Sequence, residues 1–244
     1  MLVVASIGNT TIRLGAFEDR DEPVFVKRVP IENLADLEAP GGDVEAVVVA
    51  SVNAAAEAQF AAWASANLGK EPLALRSDIP VPMPLACEGA ERVGPDRLAN
   101  AIALHRRTGR GGIAVDFGTA IDLVVVSSAG EFLGGAIAPG LAMSARALHN
   151  ETALLPLVNP AEHRLGLTGR TKEAIATGLV WGLAGLADRL IERFAWPGAP
   201  VIATGGDAGL LVRHCQRVKK VAPNLTLEGL REAYLCWRSG RDRL

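Results

Sequence analysis

The sequence has few of the residue patterns that mark several common classes of protein. Its three cysteines are odd in number and lack CxxC spacing, so neither a disulfide framework nor a zinc site is indicated. No basic run is longer than the Lys219-Lys220 pair, and the net charge is -2. The charge pattern of a protein that binds nucleic acid or an anionic membrane is therefore missing. We expect a small-molecule partner, no nucleic acid and no membrane.

The first residues also lack the pattern of a secretory signal. Residues 1–5 contain no basic segment, and polar residues follow too soon for a signal peptide or a membrane-spanning helix. We therefore expect a cytoplasmic protein. Aromatic residues make up only 5% of the chain, whereas apolar residues make up 49% and glycines number 26, which is typical of tightly packed α/β layers.

One pattern, a strand followed by a glycine turn and a second strand, occurs twice, at residues 2–17 and again at residues 113–126. Alternating and continuous apolar residues predict the strands, and glycine predicts the turns. A motif repeated in this way indicates duplication, with the two turns facing each other across a cleft. The strands are expected at residues 2–7 and 11–17 around Gly8-Asn9-Thr10, and at residues 113–117 and 121–126 around Gly118-Thr119-Ala120.

Other strands and helices alternate between and after these hairpins. The breaker at residues 109–112 predicts a domain boundary, with domains at residues 1–109 and 110–244. The second strand of the second hairpin is expected to continue toward Phe132 and Leu133. Further strands are expected at residues 24–29, 46–52, 73–75 and 201–203, and helices at residues 54–67, from 95, 141–149, 171–194, after 207 and 227–237.

Glycine turns at strand ends suit phosphate groups, because they present backbone N–H donors without a Cβ in the way. Gly8-Asn9-Thr10 alone is a weak signal, since Gly-Asn is also an ordinary hairpin turn. Asp116 strengthens the second turn, because a carboxylate at a strand end can hold a cation against phosphate. Thr204-Gly205-Gly206 suits a phosphate or nucleoside and equally suits a plain strand-to-helix turn.

Asp96 and Arg97 lie in the first turn of a helix that Gly94 and Pro95 open. The helix dipole would favour a carboxylate there for stability alone. A second interpretation is catalytic: Asp96 accepts a proton from a substrate hydroxyl while Arg97 steadies a phosphoryl group in transfer. The residues by themselves leave both interpretations open.

Several segments in this order resemble the type III pantothenate kinases, and the resemblance covers nearly the whole chain. The family belongs to the superfamily of sugar kinases, Hsp70 and actin. The resemblance implies an α/β fold of two duplicated ribonuclease-H-like (actin-like ATPase) domains with a cleft between them. It also implies transfer of the γ-phosphoryl group of ATP to pantothenate in coenzyme A biosynthesis. The segments are residues 7–10, 93–97, 115–120, 134–140, Thr171 with Ala174 and Gly178, 204–206 and 225–230.

The resemblance assigns roles to individual residues. Asp96 is implied as the general base, Arg97 as its catalytic neighbour and Asp116 as the ligand of a monovalent cation, K⁺ or NH₄⁺, while Mg²⁺ or another divalent cation accompanies the nucleotide. A homodimer is implied as well. The residues expected to bind ATP are Ser6, Ile7, Gly8, Asn9, Thr10, Thr11, Ile12, Arg13, Gly118, Thr119 and Gly205, and those expected to bind pantothenate are Cys87, Gly94, Pro95, Asp96, Arg97 and Thr171.

Four positions depart from the pattern of the family. Ser6 stands where the family has an aspartate that organises Mg²⁺, and a serine hydroxyl is a weaker ligand for a hard cation. Cys87 replaces a tyrosine, while Asp122 and Val124 replace a threonine and an aspartate. Asp122 is a candidate for the carboxylate that position 6 lacks.

These departures keep two other functions open. One is a catalytically degenerate relative that binds pantothenate or nucleotide without turnover. The other is a superfamily kinase or phosphatase for another substrate.

Overall fold

The computed structural model describes residues 1–241, and the chain divides into two compact units. The first unit contains Met1–Arg110, Ser127–Phe132 and the chain from Asn224 onward, and the second contains Gly111–Val126 and Leu133–Pro223. The predicted domains, residues 1–109 and 110–244, differ from these units mainly in the last helix. The prediction placed that helix in the second domain. The structure groups this helix with the first unit because it packs on the helix that begins at Pro95.

Each unit is built on a five-stranded sheet. The strands are β1 (Leu2–Ile7), β2 (Thr11–Phe17), β3 (Phe25–Pro30), β4 (Ala46–Ser51), β5 (Pro72–Ala74), β6 (Gly112–Phe117), β7 (Ala120–Val126), β8 (Phe132–Pro139), β9 (Val201–Thr204) and β10 (Lys220–Val221). The α-helices are α1 (Ala54–Leu68), α2 (Pro95–Thr108), α3 (Leu141–Asn150), α4 (Thr171–Phe194), α5 (Ala208–Leu211) and α6 (Leu225–Arg241). Short 3₁₀ turns lie at Ile31–Asp36, Ala90–Arg92, Pro160–Glu162 and Val212–His214.

The two sheets have the same strand order. The first runs β3-β2-β1-β4-β5, and the second runs β8-β7-β6-β9-β10. In each sheet the central strand pairs antiparallel with the next strand of its hairpin and parallel with the strand on its other side. The burial patterns of β1 and β6 are identical residue by residue, and so are those of β2 and β7. The predicted duplicated, ribonuclease-H-like α/β fold is confirmed.

Continuous runs of Val, Ile and Ala make the central strands suitable for burial on both faces. In the first unit, Ile7, Leu14 and Val49 pack with Phe60 of α1. In the second unit, the inner face of α4 packs on residues of β6 and β7. By length and composition α4 could cross a membrane, and 39% of its most apolar window is buried inside the structure. One such helix is weak evidence for a membrane span, because core helices pass the same test.

The structure corrects two of the predicted elements. β7 ends at Val126 and does not continue to Phe132, because a turn closes there with the Ser127 N–H donating to the Glu131 carbonyl at 2.8 Å. Gly130 supplies the positive φ of 85° in this turn. β8 then begins at Phe132 and runs to Pro139, a strand that the glycine-rich sequence did not predict beyond Leu133.

Candidate functional site

The carboxyl ends of β1, β4 and β5 lie at one edge of the first sheet, because the three strands are parallel. The Gly8-Asn9-Thr10 turn follows β1, and the Gly8 N–H donates to the Thr11 carbonyl at 3.0 Å. Val52 follows β4, and its N–H donates to the Ile7 carbonyl at 3.0 Å. Ligands of open α/β sheets bind at such edges. The predicted nucleotide turn therefore lies at the edge where a ligand is expected.

Ser6 and Arg13 are directly opposite each other on β1 and β2. Ser6 is half-buried, whereas the flanking Ile7 and Ile12 are fully buried. Directly opposite cross-strand partners share a face of the sheet, so the side chains of Ser6 and Arg13 start from the same face. Arg13 also donates a hydrogen bond to the side-chain carbonyl of Asn224, just before α6. This pair carries one positive charge and no carboxylate.

Gly94 and Asp96 lie at the start of α2, on the same edge of the first unit. A Cβ at position 94 would lie 2.6 Å from Asp96 Oδ1 and 3.5 Å from Val52 Cγ1. A side chain at position 94 would displace the Asp96 carboxylate, and glycine leaves it room. The structure brings these residues together with the β1 turn through Val52, which hydrogen-bonds to Ile7.

The environment of Asp96 favours a basic carboxylate. Burial raises the pKa of the Asp96 carboxyl, and the hydrogen bond and charge of Arg97 oppose this shift. The Arg97 backbone N–H donates to Asp96 Oδ1 at 2.8 Å. A raised pKa makes an ionised carboxylate a better proton acceptor near neutral pH.

Asp116 and Asp122 occupy in the second unit the places that Ser6 and Arg13 occupy in the first. Asp116 is the second-last residue of β6, and it is directly opposite Asp122 of β7. Both are half-buried. Two like charges directly across an antiparallel pair destabilise each other unless a cation offsets them. This arrangement fits a bound cation, which the Ser6–Arg13 pair does not.

A second turn at the end of β6 carries Gly118 and Thr119. The Gly118 N–H donates to the Ala120 carbonyl at 3.0 Å. The N–H of Gly140 donates to the Thr119 carbonyl at 3.2 Å, so α3 begins against this turn. A Cβ at Gly140 would overlap the Gly118 and Thr119 carbonyls. Gly140 belongs to the segment 134–140 that carries the family resemblance, but no role was predicted for it from the sequence.

Gly205 packs directly on the strand that carries Asp116. It follows β9 with a φ of 96°, and a Cβ there would overlap the Asp116 carboxylate and the Phe117 carbonyl. The N–H of Asp207 donates to that same carbonyl at 2.9 Å. Only glycine therefore allows the β9 turn to approach β6 this closely.

Cys87 and Thr171 are two further residues that the resemblance assigns to pantothenate. Cys87 is a half-buried free thiol in the loop that leads to the Ala90–Arg92 turn. Thr171 is the exposed first residue of α4, and it belongs to the second unit, whereas Gly94 belongs to the first. A cavity of about 490 Å³ lies beside Thr171, and its lining includes Arg170 and Lys172. Among residues 1–241, no group of three or more His, Cys, Asp or Glu side chains could hold a metal ion.

Comparison with known proteins identifies the family. A sequence model of the family described as type III pantothenate kinase matches residues 2–193. The chain belongs to the type III pantothenate kinase family. The type III pantothenate kinase of Desulfatibacillum aliphaticivorans is 34% identical over 250 residues, which cover 95% of this chain and 96% of the relative. That of Moorella thermoacetica is 33% identical over 250 residues, covering 96% and 98%.

Solved structures support the fold of this type III pantothenate kinase family member. The activator of the 2-hydroxyisocaproyl-CoA dehydratase from Clostridium difficile, solved with bound ADPNP, has a TM-score of 0.57 and 13% identity. The match covers 100% of this chain and 97% of the activator. At this identity the likeness concerns the fold alone. It agrees with the actin-like ATPase fold that the resemblance implied.

Proposed function

We propose that this family member is a pantothenate kinase, which transfers the γ-phosphoryl group of ATP to pantothenate and gives 4'-phosphopantothenate for coenzyme A biosynthesis. The observation that carries the proposal is the position of Asp96. Its partly buried carboxylate lies in the first turn of α2, and Gly94, which lies beside Val52 at the end of β4, leaves room for it. The family match over residues 2–193 supplies the substrate.

Asp96 acts as the general base. It accepts the proton of the pantothenate hydroxyl as that oxygen attacks the γ-phosphorus, and ADP leaves. Arg97 offsets the negative charge that is spread over the transferring oxygens. Gly94 and Pro95 bring the backbone close to the acceptor, while Cys87 and Thr171 complete the set of proposed contacts.

The ATP phosphates bind the glycine turns. The segment from Ser6 to Arg13 contributes Ile7, Gly8, Asn9, Thr10, Thr11 and Ile12, and the second unit contributes Gly118, Thr119 and Gly205. Support comes from the N-terminus of α3 next to the Thr119 turn, because helix N-termini attract anions.

Cations assist this chemistry by neutralising phosphate charge. Asp116 and Asp122, paired across β6 and β7, would hold a cation, K⁺ or NH₄⁺ at Asp116 in the first instance. Mg²⁺ or another divalent ion would be bound mainly by the nucleotide phosphates, because Ser6 is a neutral ligand opposite a positively charged Arg13.

The protein is proposed to be a cytoplasmic homodimer. The outer face of α4 supports a second copy as the partner. Ala174, Gly178, Trp181, Gly182 and Gly185 are exposed along it, and a Cβ at any of the three glycines would meet no atom within 4 Å. Such an open apolar face allows a second helix to approach closely.

The decisive experiment is an assay of the purified protein with ATP, Mg²⁺ and pantothenate, in K⁺, NH₄⁺ or Na⁺, with phosphopantothenate measured by mass spectrometry. We expect product with K⁺ or NH₄⁺. Asp116→Asn and Asp122→Asn should each raise the K⁺ concentration for half-maximal rate, whereas Asp36→Asn, an exposed control, should not. Absence of product in every cation would contradict the proposal.

Ser6→Asp is the matched variant for the catalytically degenerate alternative. If the missing carboxylate limits the rate, Ser6→Asp should accelerate turnover. Pantothenate binding by calorimetry without turnover in either protein would favour the degenerate alternative instead.

A further inference from the structure

Arg76 has an unusual backbone conformation for its residue type. It lies just after β5 with a φ of 87°, and within residues 1–241 it is the only non-glycine residue with positive φ. For a residue with a long side chain this conformation is strained. Strain of this kind persists where the surrounding structure requires it, and it often marks functional segments.

A tight turn holds Arg76 in this conformation. The Arg76 N–H donates to the Ile79 carbonyl at 2.7 Å, and the Asp78 carboxylate accepts the Ala74 N–H at 2.7 Å. The Leu75 N–H donates to the Val49 carbonyl of β4 at 2.8 Å, which ties the turn to the first sheet. Leu75 and Ile79 are buried on either side of Arg76. Arg76 therefore extends from a rigid base.

The Arg76 guanidinium reaches the segment that precedes Gly94. Its Nη1 donates to the Val93 carbonyl at 2.9 Å, and its Nη2 donates to the Ala90 carbonyl at 2.7 Å. These carbonyls lie at the start and just beyond the end of the Ala90–Arg92 turn. The turn's own closing bond, from the Val93 N–H to the Ala90 carbonyl, is long at 3.3 Å. The other backbone bond of the turn, from the Arg92 N–H to the Gly89 carbonyl, is 2.9 Å. The two guanidinium bonds are charge-assisted and reinforce the end of the turn that precedes Gly94.

We infer that Arg76 is a positioning residue for the acceptor substrate. By fixing the carbonyls of Ala90 and Val93, it fixes the backbone entry to Gly94 and hence the place of Gly94 relative to the edge of the first sheet, whereas Asp96 is held within α2. This inference rests on the proposed function, in which Gly94 contacts the hydroxylated acid that is phosphorylated. Arg76 does not contact the reacting atoms.

Three features make the role specific to the acceptor. Val93 directly precedes Gly94, so a shift of its carbonyl moves the acceptor segment first. The guanidinium fork spans two carbonyls, which a lysine ammonium would not hold in the same fixed geometry. Neither hydrogen bond involves the turn after β1, so nucleotide binding should be unaffected.

The test compares Arg76→Gly with the wild-type protein. Glycine accepts the positive φ, so this variant removes the guanidinium without adding backbone strain. We expect KM for pantothenate to rise about tenfold, which corresponds to about 1.4 kcal/mol. We expect kcat to change less than threefold, KM for ATP to stay unchanged, and amide hydrogen exchange of residues 90–97 to accelerate. Arg76→Lys should recover part of the affinity.

Arg92→Ala is the matched control, because the Arg92 side chain is 89% exposed and pairs only with Glu91 in the ion pairs of this turn. It should leave both KM values unchanged. Unchanged exchange in Arg76→Gly would overturn the inference, as would faster exchange with an unchanged KM for pantothenate. A wild-type protein that makes no phosphopantothenate would overturn the proposed function, and hydrogen exchange together with calorimetric pantothenate affinity would then decide the role of Arg76.

Discussion

At the scale of single residues, equivalent positions of the duplicated hairpins have diverged in charge. The first hairpin places Ser6 opposite Arg13, and the second places Asp116 opposite Asp122. In each pair the residue on the first strand lies two positions before the glycine of the turn that ends a buried strand. Of these four positions, only the two in the second hairpin carry carboxylates. The two members of each pair lie on the same face of their sheet, because antiparallel pairing puts opposite residues on one face.

Asp96→Asn should remove catalysis while leaving the fold intact. Loss of a general base lowers kcat by about 10²- to 10⁴-fold. Because burial raises the pKa of Asp96, the folded state holds this proton more tightly than the unfolded chain does, and ionised Asp96 destabilises the fold above its folded-state pKa. The variant should therefore have a thermal midpoint at neutral pH no lower than that of the wild type.

The pH dependence of kcat/KM gives a second readout of the same residue. The acid limb should lie at a higher pH than an ordinary aspartate would give, since the base acts when deprotonated. An acid limb at or below the ordinary aspartate range, or a strongly destabilised Asp96→Asn protein, would contradict this role.

At the scale of secondary-structure elements, α6 and α2 form the closest helix contact in the first unit. Gly229 of α6 lies against the backbone of Ala99, and the Thr226 hydroxyl donates to Asn100 Oδ1 at 2.8 Å in a buried bond. Tyr234 and Arg238, farther along α6, both bond to Glu45 Oε1. Because α2 carries Asp96 in its first turn, α6 supports the helix that presents the proposed base.

Gly229→Ala should separate these two helices. An added Cβ would overlap the Ala99 carbonyl, so one of the two helix backbones would have to move. We expect a loss of about 1–3 kcal/mol in the free energy of unfolding, measured with urea, and a lower kcat/KM.

Gly240→Ala is the control on the same helix, since a Cβ there would meet nothing within 4 Å. It should be neutral or slightly stabilising, because alanine favours helix over glycine. Equal stability of the two variants would show that the α2–α6 contact is not tight in solution.

At the scale of the whole molecule, the two units repeat one topology, but the chain is not simply two halves in sequence. The segment from Asn224 onward returns to the first unit, and residues 127–132 also belong to it. In the second unit, α4 buries one face in the core and leaves the other open. An exposed tryptophan, Trp181, lies among glycines on that open face.

Trp181→Glu should convert the proposed dimer into a monomer. Trp181 is 50% exposed in the single chain, so a charge there costs little in the monomer and much in an apolar interface. Sedimentation velocity should give a dimer for the wild type and a monomer for the variant. Val24→Glu, at a residue 48% exposed in the first unit, should remain dimeric. A wild-type monomer at micromolar concentration would refute the dimer.

Local signals in the sequence predicted much of the fold. β1, β2 and α4 have the predicted bounds, because alternation, apolar runs and helical spacing are local patterns. α2 begins at Pro95 and ends before Gly109, as proline at a helix start and glycine in the left-handed conformation predict. The prediction missed β8 beyond Leu133, because Gly134 and Gly135 have low strand propensity. In the folded protein the pairing of β8 within the sheet outweighs this low propensity.

The candidate site likewise combines features that the sequence predicts with contacts that only the structure shows. The sequence alone determined the repeated strand–glycine turn–strand pattern, the place of Asp96 in a first helical turn, and the family resemblance, since each depends on neighbouring residues or on ordered motifs. Only the tertiary structure decided that Asp122 faces Asp116, that α6 packs on α2, and that Arg76 holds the carbonyls of Ala90 and Val93. These contacts depend on strand register and on packing between distant segments, for which no local pattern exists.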